Sequence, residues 1–169
     1  MTSWVFVDTN PDLVRFWEEA FEGVADVSFH CADILELAHD TLVSPANSYG
    51  YMDGGIDRHY RNYFGIGIEQ AVQAAIAETG HSYLPVGKAI MVPTGHESIQ
   101  KLIVAPTMFL PEPIPAADCG KAMSAAIRCV RSYPDIETVF CPGFGTGIGQ
   151  VDPRDAAREM ADAFRGKMD

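Results

Sequence analysis

The sequence predicts a three-layer α/β/α fold, with a mixed central sheet flanked by helices. Three observations predict it. Short apolar strand signals alternate with helical periodicity along the chain. No repeat, low-complexity tract or linker interrupts that alternation. The length of 169 residues, with 47% hydrophobic and 21% charged residues, suits one domain spanning residues 1–169 with a sizeable core.

The elements follow in order. Ser3 to Asp8 (SWVFVD) reads as a short buried strand. Asn10 and Pro11 then supply a cap and a first-turn proline for a helix through Phe21, whose apolar side carries Leu13, Val14, Phe16 and Trp17. Val24 to Phe29 reads as a second strand, Asp33 to His39 as a short helix, and Thr41 to Ser44 as a third strand running into Pro45-Ala46-Asn47. A turn-rich stretch, Ser48 to Gly55, precedes helices from about Ile56 to Tyr63 and Ile66 to Glu78. Lys88 to Pro93 and Lys101 to Pro106 are further strands. Pro111, Pro113 and Pro115 mark a stiff loop before a helix from Ala116 to Arg131. Thr138 to Cys141 is the last strand, and Asp152-Pro153 opens a final helix to Phe164.

Bulk properties exclude several functions. A net charge of −11 is wrong for a nucleic-acid groove or an anionic membrane surface, both of which demand a basic face. A small anion would have to be held largely by backbone N–H groups. No apolar run approaches the ~20 residues of a membrane span. Met1 to Asp8 has neither the basic flank nor the apolar length of a secretory signal. Cys31, Cys119, Cys129 and Cys141 fit no zinc or redox spacing and read as reduced, mostly buried thiols, which implies a cytoplasmic protein. The histidines show no metal spacing either, so neither metal nor cofactor is expected.

Two loops carry the chemistry. Gly143-Phe144-Gly145-Thr146-Gly147-Ile148-Gly149 lies between a strand and a helix, with a glycine at every second position. Such spacing permits positive φ and close backbone approach, so that successive N–H groups can converge on a phosphate. The G-x-G-x-x-G spacing fails, since the sixth residue from Gly143 is Ile148 and from Gly145 is Gln150, and no P-loop sequence occurs. The second loop is Val43 to Asp57 (VSPANSYGYMDGGID). Asn47 follows a strand and can both donate to and accept from a sugar hydroxyl. Gly54-Gly55 precede a helix start, a second place for N–H groups to meet a phosphate. Asp57 falls in that helix's first turn, where capping or a dipole contact is its plainest role. His59 is most simply structural, and Tyr49, Tyr51 and Phe144 serve equally as packing or as stacking surfaces. Met108 and Phe109 read as core packing, with one wall of a ligand pocket as the alternative.

Together these loops resemble the macro domain family over nearly the whole chain. Ala32-Asp33-Ile34-Leu35 stands for the family's G-D-[IV]-T, Ser44-Pro45-Ala46-Asn47 for N-A-A-N, Asp53-Gly54-Gly55-Ile56-Asp57 for G-G-G-V-D, and Gly145-Thr146-Gly147-Ile148-Gly149-Gln150 for S-T-G-I-[YF]-G. The segments keep the family's order and spacing. Ser44-Pro45-Ala46-Asn47 and Ala105-Pro106-Thr107-Met108 look most like bacterial and phage-tail-associated members.

The resemblance implies a site for ADP-ribose or an ADP-ribosylated macromolecule. Asp33 would accept from the adenine amino group beside the Ile34 N–H. Gly54, Gly55 and Ile56 would line one side of the diphosphate, and Gly145, Thr146, Gly147 and Ile148 the other. Asn47 would contact the distal ribose, and Asp57 would act beside it in members that hydrolyse. Four departures stand out: Ser44 for asparagine, Asp53 for glycine, Leu35 for threonine, and Gly149 for an aromatic, the last implying a more open pocket. Asp53 would face the diphosphate unless it turns away or meets Arg58. Three functions stay open: an ADP-ribosyl hydrolase using Asn47 and Asp57, acting on a modified macromolecule or on an ADP-ribose ester or phosphate; a non-catalytic ADP-ribose reader; and a phage or virion interaction protein that has lost the ligand.

Overall fold

The computed structural model describes residues 1–166. Its strands are β1 (Ser3–Asp8), β2 (Val27–Cys31), β3 (Asp40–Ser44), β4 (Ile90–Pro93), β5 (Ile99–Val104) and β6 (Thr138–Cys141). Its helices are α1 (Pro11–Ala20), α2 (Ile34–Leu37), α3 (Gly55–Phe64), α4 (Gly67–Glu78), α5 (Ala117–Arg131) and α6 (Pro153–Phe164). The strands form one sheet in the order β2-β1-β6-β3-β5-β4. All neighbours pair in parallel except β4, which runs antiparallel to β5 at the edge.

The period-2 alternation of strand side chains builds two cores. Phe6, Val43, Ile103 and Val139 face α1, α5 and α6. Val7, Leu42, Leu102 and Phe140 face α2, α3 and α4. This is the expected three-layer arrangement with a mixed sheet. Local signals set the helix starts. Asn10 accepts from the Asp12 N–H with Pro11 in the first turn, and Asp152 accepts from the Arg154 N–H ahead of Pro153.

Boundaries shift where positive φ intervenes. The second strand begins at Val27 rather than Val24, because Gly23 (φ 83°) and Asp26 (φ 61°) fold residues 21–26 into turns. The short helix stops at Leu37, and Asp40 (φ 62°) turns the chain into β3 while its carboxylate accepts from the Glu137 and Thr138 N–H groups.

The chain leaves β1 toward β2 on one side and β3 toward β5 on the other, with β6 between them. Such a switch point opens a crevice at the carboxyl ends of the strands. Among the described residues, no helix is long and apolar enough to cross a membrane.

Candidate functional site

The crevice is present. Asp8 closes β1, Pro142 and Gly143 follow β6, Pro45 and Asn47 follow β3, and Thr107 and Met108 follow β5; all border a cavity of about 290 Å³. A second hollow of about 380 Å³ shares Asp8, Gly55, Ile56 and Pro142 with it, and carries Asp33 and Ile34 on its wall. The two make one groove, with Asp33 toward one end and Asn47 and Met108 toward the other.

Both glycine-bearing loops face this groove. Gly54 caps α3 without any side-chain hydrogen bond, and Gly55 (φ 59°) begins the first turn. The N–H groups of that turn have no intrahelical partner and carry the positive end of the helix dipole. Opposite them stands the loop Gly143–Gly149. A Cβ on Gly54 would lie 3.1 Å from the Ile148 Cδ1, so the loops meet across one side chain. Among the described residues, the N–H groups of Thr146, Gly147 and Ile148 find no protein acceptor.

The glycines of this loop serve different ends from those expected. Only Gly145 has positive φ (74°). A Cβ on Gly143 would come within 2.5 Å of Leu13, and one on Gly149 within 2.7 Å of the Gly145 carbonyl oxygen, so these two are needed for space. Gly147 faces open space. Gly149, where the family pattern has an aromatic, borders the cavity. Ile114, from the proline-rich loop, donates its N–H to the Gly149 carbonyl and packs over that position.

Asp57 is 6% exposed and reaches the cavity wall from the third helical position of α3. It neither caps α3 nor faces bulk water. Its Oδ1 accepts from the Ser44 hydroxyl at 2.5 Å. Burial, opposed by the Ser44 hydrogen bond and reinforced by Glu69, pushes its carboxyl up to about 7. Tyr60, one turn on, donates to the Val43 carbonyl at 3.0 Å and fastens α3 to β3. Ser44, which departs from the family's asparagine, is thus the partner of the buried carboxylate.

Asn47 borders the cavity, but its side chain already shapes the following turn. Its Oδ1 accepts from the Tyr49 and Tyr51 N–H groups, and its Nδ2 donates to the Tyr51 carbonyl at 2.8 Å. One amide hydrogen remains for a ligand. Asp33 caps α2 through the Leu35 N–H and pairs with His59 Nε2 at 2.9 Å. Its carboxyl is held below the ordinary range: partial burial pushes it upward, and the His59 and Leu35 hydrogen bonds outweigh that. His59 therefore ties α3 to α2. Asp53 also borders the cavity, and among the described residues it makes no ion pair with Arg58.

The aromatics divide. Phe144 is fully buried packing, whereas Tyr51 is exposed and borders the cavity. Met108 borders it as well, and Phe109 is exposed instead of being core. The sequence reading missed Asp8. Its Oδ1 accepts from the Asn10 N–H and its Oδ2 from the Gly143 N–H, and it stands on the wall of both hollows. A carboxylate ending a central strand was the available signal. The cavity of about 290 Å³ is bordered by the carboxylates of Asp8, Asp53 and Asp57, and among the described residues no Lys, Arg or His borders it. An anion in this cavity must be held by main-chain dipoles.

Comparison with known proteins agrees with this geometry. Residues 43–160 match the Macro domain family. A protein of Aquifex aeolicus (strain VF5), described only as uncharacterized, is 34% identical over 142 residues, covering 83% of this chain and 81% of that one. The macrodomain of Mycobacterium tuberculosis DarG superimposes with a TM-score of 0.70 at 24% identity, covering 84% of this chain and 91% of its own. A mutant Oceanobacillus iheyensis macrodomain solved with ADPR gives 0.67 at 18% identity, over 78% and 72%. At these identities the structural likeness establishes the fold.

Proposed function

We propose, from the premise that this chain belongs to the macro domain family, that its groove binds ADP-ribose and that Asp57 assists hydrolysis of the bond between the distal ribose and a carrier. The observation that carries the reading is the meeting of two loops with unpartnered N–H groups across a cavity bordered by no cation. Backbone dipoles fixed on a helix start and a glycine loop suit a diphosphate, because they carry positive potential and need no side-chain ordering. The continuous groove suits a long ligand. Asp33 with the Ile34 N–H would take the adenine edge, Gly54 to Ile56 and Gly145 to Ile148 the diphosphate, and Asn47 and Asp57 the distal ribose.

A carboxyl titrating near neutrality can take a proton from a hydroxyl or water at physiological pH. With Ser44 holding one oxygen, the other would orient a water toward the anomeric carbon. The loop N–H groups would hold the diphosphate while charge moves toward the leaving group. Calorimetry with ADP-ribose, followed by turnover of mono-ADP-ribosylated substrates by wild type and Asp57→Ala, tests both halves. Binding without turnover, or equal turnover by the variant, would remove Asp57 from catalysis.

A binding-only reading is favoured by one feature. Asn47 is spent on the Tyr49–Tyr51 turn, so little side-chain machinery remains beside the ribose. The same pair of measurements separates the two readings.

A further inference from the structure

We infer, resting on the ADP-ribose reading above, that the carrier is a lysine- and arginine-bearing peptide, which lies on an aromatic shelf at the Asn47 end of the groove. The shelf is built around Tyr49. Its ring stands 6.0 Å from Tyr51, 6.2 Å from Tyr83 and 5.2 Å from Phe109, and Tyr83 and Phe109 are 5.5 Å apart. Tyr51, Tyr83, Phe109 and Leu110 are all exposed, so nearly half of the large exposed hydrophobic residues of the described chain gather here. Such a patch, continuous with a ligand cavity through Tyr51, marks a contact surface for something larger than the ligand.

Charge selects the occupant. Asp53 stands beside Tyr51 on the cavity wall, and Glu112 follows Pro111, which borders the same cavity. Neither forms an ion pair among the described residues. Among the described residues no Lys, Arg or His borders the cavity, and His81 and Lys88 line a separate hollow that Tyr83 also borders and that Asp53 and Tyr51 do not. Aromatic faces rimmed by carboxylates attract ammonium and guanidinium groups. A nucleic-acid strand would also stack on such rings, but its phosphates would meet carboxylates where a basic funnel is required.

The test uses ADP-ribose joined through a hydrolysis-resistant linkage to three carriers: a Lys/Arg-flanked peptide, its Gln-substituted counterpart and a short oligonucleotide. Each competes against a fluorescent ADP-ribose. Two or three cation–π contacts at an exposed surface should favour the basic peptide about tenfold over the Gln peptide and over free ADP-ribose. The Tyr83→Ala/Phe109→Ala variant should lose that advantage while keeping the wild-type affinity for free ADP-ribose, which also certifies its folding. If the double variant loses free-ligand binding, Phe109→Leu replaces it, because it keeps the bulk and removes only the ring. Equal affinity for both peptides, an advantage that survives loss of the shelf, or preference for the oligonucleotide overturns the inference and leaves the ADP-ribose reading standing. Failure of wild type to bind free ADP-ribose overturns both.

Discussion

Replacing Asp57 with asparagine should change how stability depends on pH. In the folded chain burial lifts this carboxyl from 3.8 to about 7. The native state therefore holds the proton more tightly than the unfolded chain. The resulting stability is complete below pH 3.8 and is lost as pH rises through about 7. At about 1.4 kcal/mol per pH unit, the part lost between pH 5 and pH 8 is about 2.5 kcal/mol. Asparagine keeps the shape and an acceptor for the Ser44 hydroxyl but does not titrate. Urea unfolding of both proteins at pH 5 and pH 8 isolates the effect, because all other titrating groups cancel in the double difference. Wild type should lose about 2.5 kcal/mol more than the variant over that interval, roughly 5–10 °C in Tm for a chain of this size. Parallel pH dependences in the two proteins would show that Asp57 is ionised in the native state without cost, and the account of a buried, near-neutral carboxyl would be wrong.

Three further perturbations probe other parts of the groove. Gly147→Glu places a side chain in open space, so circular dichroism and Tm should be unchanged, while calorimetry should show ADP-ribose affinity reduced about a hundredfold or more by a carboxylate in the diphosphate cradle. Gly149→Tyr forces a Cβ to within 2.7 Å of a carbonyl oxygen, and urea unfolding should register a loss of about 2–3 kcal/mol. Asp33→Asn should weaken ADP-ribose binding several-fold and leave ribose 5-phosphate binding, measured by competition, unaffected, because on the proposed reading only the adenine-bearing ligand would reach the hollow that Asp33 lines.

The fold was legible because its signals are local. A strand of alternating large residues at Ser3–Asp8, an Asn-Pro start at Pro11, an Asp-Pro start at Pro153 and glycine loops after β3 and β6 each act over a few residues. The boundaries that moved depend on positive φ at Asp26 and Asp40, and aspartate does not announce that conformation in sequence. The two glycine-bearing loops were legible as short stretches, and both border one groove in the structure. Their side-chain partners were not, because those partners are remote. Asp57 meets Ser44 across 13 positions, Asp33 meets His59 across 26, and Gly143 meets Asp8 across 135. The glycine loop shows the same limit: its pattern suggested backbone freedom throughout, whereas close contacts from Leu13, Cys119 and Ile114 leave no room for a Cβ at Gly143, Gly145 and Gly149, and only Gly147 faces open space.

The proposed function sets a physical problem: a dianion would sit in a cavity bordered by three carboxylates and, among the described residues, by no Lys, Arg or His. The structure blunts each carboxylate differently. Asp8 already accepts from the Asn10 and Gly143 N–H groups, which draw its charge toward the sheet. Asp53 is exposed, where water screens it. Asp57 is buried and carries its proton for much of the time near pH 7. The remaining potential is set by the uncapped start of α3 and the N–H groups of Thr146 to Ile148. Pre-organised dipoles of this kind discriminate by position: a phosphate displaced by an ångström leaves the converging N–H groups and meets the carboxylates instead. The acidic surround then acts as a filter. On the proposed reading it would admit an anion only where the backbone cradle holds it, and would reject polyanions whose neighbouring charges have no cradle of their own.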